Sequence, residues 1–173
     1  VPAGYAPCRY TALFKFSHLI TILIKNHFVE VLIMNSQEIE DLSSSYMEIW
    51  NAGEEDLLNE FADKDLTVNY THFEKAYNSI SEYKEMLKQT HEFFPDLVIT
   101  LEEIIPSESG RSATINWKYN GTHENGNLFG VESSGNKVTV RGMTVLRFQN
   151  GKVVEEKGIV DNLSLMMQLG AMG

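Results

Sequence analysis

Three side chains in the last third of this 173-residue chain have the chemistry to move a proton: Asp161, His123 and Glu155. A carboxylate inside an apolar cavity has its pKa raised by desolvation, which suits it to take a proton from carbon next to a carbonyl. Asp161 is the first candidate for that catalytic role. It also stands where a terminal helix would start near Leu163, and an Asp at such a junction commonly caps the helix. His123 is the second candidate, because neutral imidazole accepts a proton near pH 7 and its charged form stabilises an enolate. Its place where a strand gives way to a Gly/Asn-rich loop equally suits a hydrogen bond to the loop backbone. Glu155 and Lys157 share a face with Asp161 if their strand is regular. That row is either a polar pocket wall or a solvent-facing stripe with cross-strand ion pairs.

These residues are positioned by a hairpin. Asn150-Gly151 lies between two apolar runs and tolerates positive φ at both central positions of a tight turn. With a simple two-residue turn, Leu146 faces Glu155, Thr144 faces Lys157 and Val140 faces Asp161. Arg147, Val145, Met143 and Arg141 then share the other side with Val154, Glu156 and Val160. Both sides mix apolar and charged residues, so alternation does not say which is inward, and a bulge would swap them.

Upstream, Asn35 with Glu38, or Ser36 alone, caps a helix to about Ala52 that Gly53 stops. Its residues Ile39, Leu42, Tyr46, Ile49 and Trp50 fall on one side. A short helix follows over 54–62, then a strand over Leu66–Tyr70. Ser79 with Glu82 forms a capping box for a third helix, which Pro95 ends. Strands follow over Leu97–Ile105 and Arg111–Thr122, the latter with Ile115, Trp117 and Tyr119 on one face, and Glu124–Asn136 reads as a loop or irregular edge. Helices followed by antiparallel strands give an α+β domain. Curvature would make the sheet a cone with a cavity inside, which Tyr46, Trp50, His72, Trp117 and Tyr119 would line if they are not ordinary core.

Residues 1–33 do not resemble the rest. Their apolar run is interrupted by Lys15, His18, Lys25, His27 and Glu30, too often for a membrane span, and Lys25-Asn26-His27 is the wrong material for the small-residue cleavage site of a signal peptide. The segment reads as an accessory helix or strand, or as an upstream extension ahead of a domain over 34–173.

Composition narrows the functions. The chain is 43% hydrophobic and 22% charged, which is globular and enough for one sizeable core. Fourteen Lys and Arg against 24 Asp and Glu give a formal charge of −10, which argues against a non-specific grip on nucleic acid. The single Cys8 fits a reducing, cytoplasmic setting. The five histidines show no metal-ligand spacing and no glycine-rich phosphate loop follows a strand, so neither metal nor cofactor is expected.

Phe94-Pro95-Asp96-Leu97, Gly121-Thr122-His123, Phe129-Gly130, Ser134 to Val138, Arg141-Gly142, Arg147-Phe148, Gly151-Lys152-Val153 with Glu155, and Asp161 followed by Gln168-Leu169-Gly170 stand in a telling order. Together they resemble the SnoaL-like polyketide cyclase or ester cyclase family of the NTF2-like superfamily. The similarity runs from about Asn35 to Gly170. It implies a cone-shaped α+β barrel with a pocket between sheet and helices, usually a homodimer packed through its sheet. It further implies a cyclase or isomerase-type enzyme for a small hydrophobic, polyketide-like carbonyl compound, without cofactor, with Asp161 at the family's acid/base position. The alternative is a non-catalytic protein that binds a small molecule in the same cone. Two departures stand out: Val138–Phe148 contains no His, Asp or Glu for a helper histidine, and Lys157 stands where the family often has Trp.

Overall fold

Asn35 and Glu38 start the first helix by a reciprocal cap. Glu38 N donates to Asn35 Oδ1 at 3.0 Å and Asn35 N donates to Glu38 Oε2 at 2.8 Å, satisfying two amides that the helix leaves open. The computed structural model describes residues 19–24, 27–52 and 55–172. Helix α1 (Ser36–Met47) buries Ile39, Leu42, Tyr46 and Met47, and α2 (Ile49–Ala52) follows after a break at Glu48. The expected stop at Gly53 lies outside the described residues. A 3-10 turn (Glu55–Leu57) leads into α3 (Leu58–Phe61) and then the strand β3 (Ala62–Tyr70), longer than expected. In α4 (Ile80–Phe93), Ser79 accepts from Glu82 N, but the Glu82 carboxylate reaches Asn78 N instead of closing a box on Ser79.

After Pro95 come β4 (Val98–Pro106), β5 (Ser112–His123), β8 (Asn136–Gln149) and β9 (Lys152–Val160). The supposed loop between β5 and β8 holds a small hairpin, β6 (Asn127–Leu128) and β7 (Val131–Glu132). The main sheet has the order β3-β9-β8-β5-β4. Its pairs are antiparallel except β3 with β9, which is parallel. Helix α5 (Asn162–Leu169) closes the chain and ends on Gly170 in the left-handed region.

The β8–β9 hairpin turns at Asn150 (φ 52°) and Gly151 (φ 73°), as their types require. Gln149 pairs with Lys152 and Phe148 with Val153, but Arg147 pairs with Glu155. One extra residue, Val154, is thus bulged on β9, and every later side chain changes face. Leu146 stands opposite Glu156, not Glu155, and Thr144 opposite Gly158, not Lys157. Asp161 N donates to Arg141 O, so Asp161 does not face Val140.

Two apolar cores result. One joins α1 and α4 to the sheet through residues such as Ile39, Leu87, Ile115 and Leu146. The other gathers Phe94, Leu97, Val138, Val140, Leu165 and Leu169 around α5. Trp50, Tyr119 and Val160 touch both. Of the apolar first segment, β1 (Leu19–Ile24) and β2 (His27–Leu32) pair with each other, apart from the main sheet. Residues 1–18 and 25–26 lie outside the described residues.

Candidate active site

Between the two cores lies a cavity of about 280 Å³, near the lower end of the range for small-molecule sites. Its wall is largely aromatic, with Trp50, Tyr70, Trp117 and Tyr119 from the helices and sheet, and Phe129 from the β6–β7 hairpin. Among the described lining residues none is Asp, Glu, Lys or Arg, so the space suits a neutral ligand. Phe129 takes a φ of 54°, a costly region for a side chain of its size.

His72 is the lining residue that titrates near neutral pH. It follows β3 and its ring lies 4.7 Å from that of Phe73 and 6.0 Å from that of Tyr70. The residue is solvent-exposed, and the partial burial of its ring lowers its pKa from the usual imidazole value, which favours the free base at neutral pH. Asn162, the first residue of α5, also lines the cavity and offers an amide that can donate or accept.

A second polar group sits behind the floor. Glu156 is fully buried, with Tyr46 donating to Oε2 at 2.5 Å and Tyr70 donating to Oε1 at 2.5 Å. The Tyr83 hydroxyl is near the same carboxyl, outside ordinary hydrogen-bond geometry. Burial pushes the pKa of Glu156 up, and the hydroxyl partners only partly offset this. Desolvation, then the charge of Glu156, drives the tyrosines well above their usual values, so they stay protonated.

The three residues singled out in the sequence are not brought together here, and none lines the cavity. Asp161 is exposed and accepts from Ser164 N at 3.0 Å as the N-cap of α5, the second of its two sequence-based readings. Glu155 lies on the outer face, paired with Lys157 at 2.6 Å and Arg147 at 2.8 Å. The hydrogen bond from Lys157, with Arg147 behind it, holds its carboxyl below the usual range. His123 is buried against Phe93 and Phe94, and among the described residues neither ring nitrogen has a hydrogen-bond partner. The bulge at Val154 accounts for the difference on β9, because it turns Glu156 inward and Glu155 outward. Of the proposed lining residues, Trp50, His72, Trp117 and Tyr119 do line the cavity, whereas Tyr46 binds Glu156 behind it.

Residues 40–169 match the family described as SnoaL-like polyketide cyclase. The chain belongs to that family. Its fold is the NTF2-like cone, shared with solved structures of low sequence identity. TsrD from Streptomyces laurentii superimposes with a TM-score of 0.71 at 17% identity, covering 80% of this chain and 99% of that one. AclR from Streptomyces galilaeus, assigned as a hydroxylase, gives 0.70 at 21% identity, with 80% and 89% covered. IdmH from Streptomyces antibioticus, assigned as a polyketide cyclase, gives 0.66 at 22% identity, with 76% and 97% covered. No functionally curated protein matches the sequence. Among the described residues of this SnoaL-like chain, no three His, Cys, Asp or Glu side chains form a metal-holding group, and no helix is long and apolar enough to cross a membrane.

Proposed function

We propose that this chain is a cyclase or isomerase-type enzyme that works by acid/base chemistry on a small, flat, polyketide-like carbonyl compound, with His72 as the proton carrier. The observation that carries this reading is an uncharged aromatic cavity with a neutral imidazole on its wall. The imidazole takes a proton from carbon next to one carbonyl. The enolate carbon adds to a second carbonyl of the same molecule, forming the ring bond, and the imidazolium returns the proton to the new alkoxide. Substrate and product are isomers, and the base is regenerated.

The proton-abstraction half can be tested without the natural substrate. In deuterated water the methyl protons of 2-acetylnaphthalene exchange through the enol, and proton NMR follows their loss. The wild type should accelerate this exchange and His72→Gln should reduce the acceleration by about 10²-fold. Asp161→Asn keeps the cap and should retain the rate. A second reading, a binding module without chemistry, is favoured by the position of Asp161 and Glu155 outside the cavity. Binding of the ketone with no acceleration would select it.

A further inference from the structure

Tyr70 and Trp117 form part of the cavity wall, and each ring lies over a glycine. A Cβ on Gly158 would stand 2.2 Å from Tyr70 Cε1, and one on Gly142 would stand 2.2 Å from Trp117 Cζ2. Glycine lets the rings lie close to the sheet but removes the steric wedge that would fix their tilt. A polar tether stands in its place. Trp117 Nε1, which can only donate, donates to Thr144 Oγ1 at 2.9 Å. The Thr144 proton is then available to Tyr70 Oη at 2.8 Å, and Tyr70 passes its own to Glu156 Oε1. Tyr46 holds the other carboxyl oxygen. Thr144 and Glu156 are both fully buried, where polar groups are costly unless their partners are complete. The line therefore runs without a branch from one wall ring, through Thr144, to the other wall ring and its anchor.

We propose that Thr144 and Glu156 are positioning residues of the cavity, which hold the Tyr70 and Trp117 rings at the tilt on which a flat ligand stacks. The inference rests on the reading of the cavity as a site for a neutral aromatic carbonyl compound. Thr144 couples the two rings, so losing its hydroxyl frees the Trp117 indole and leaves Tyr70 held by Glu156 alone. Glu156 anchors the Tyr70 end.

The test is binding of 2-acetylnaphthalene, followed by quenching of tryptophan fluorescence, to Thr144→Val, Thr144→Ser, Glu156→Gln and the wild type. Thr144→Val keeps the shape and removes the hydroxyl, and should weaken binding about tenfold. Thr144→Ser restores the hydroxyl and should bind within about threefold of the wild type. Glu156→Gln retains an acceptor for one tyrosine and should fall between them. Val153→Ala, a truncation of a buried residue at the turn end of the same sheet, where it pairs with Phe148, is the control for lost stability. Wild-type affinity in Thr144→Val, or an equal loss in Val153→Ala, overturns the proposal. If the wild type does not bind the ketone, the ligand class assigned to the cavity is wrong. The Trp117 indole proton then decides: its NMR resonance should move and exchange faster with solvent in Thr144→Val but not in Thr144→Ser. An unchanged resonance in Thr144→Val overturns the proposal without any ligand.

Discussion

Glu156 faces three phenols, Tyr46 from α1, Tyr70 from β3 and Tyr83 from α4, and no cation among the groups that shift it. Desolvation therefore dominates, and its folded pKa lies above the ordinary value. In the unfolded chain a glutamate releases its proton near pH 4.3. Between that pH and the folded pKa the native state binds more protons than the unfolded one, so stability falls as pH rises. The contribution of the neutral acid is complete below the unfolded value and is lost as pH passes the folded one. Urea unfolding of the wild type and Glu156→Gln across this window should give a difference that declines with pH. A flat difference would show that the carboxyl titrates alike in both states. Asp161 has no comparable enclosure: exposed, and bonded to the first turn of α5, it has the geometry of a cap.

At the level of elements, one bulged residue decides which acid is inside. A regular β8–β9 pairing would place Glu155 opposite Leu146, and the extra Val154 gives that place to Glu156. The same shift puts Gly158 opposite Thr144 and beside Tyr70 on β3, where the tyrosine ring needs the space a Cβ would fill. Gly158→Ala should thus destabilise the fold by about 1–3 kcal/mol, the usual cost of overpacking, and weaken ligand binding through the displaced ring. Chemical denaturation with a binding titration checks both. Unchanged stability and affinity would mean that the Tyr70 ring has room to withdraw.

For the whole molecule, the cavity exists because two cores meet without filling the space between them. Val160, at the end of β9, touches both and lines the gap. Val160→Phe adds a ring there and should abolish binding of 2-acetylnaphthalene while the melting temperature stays within a few degrees, on the order of 1 kcal/mol. A variant that still binds would place the ligand elsewhere. One that unfolds would show that the space is smaller than the ring.

Local chemistry in the sequence was enough for much of the architecture. The Asn35/Glu38 cap, the Pro95 stop, the Asn150-Gly151 turn and the shared face of Ile115, Trp117 and Tyr119 depend on neighbours within a few residues, and all appear in the fold. The aromatic lining was also legible in part, since large rings at strand or helix spacing must turn toward the core or a cavity in it. The identity of the buried acid was not. Side chains along a strand alternate with period two, so a single bulge reverses every one beyond it, and neither Glu155 nor Glu156 carries a mark of which side it takes. Only the closed sheet, with Tyr46 and Tyr70 arriving from two other elements to meet one carboxyl, made that choice.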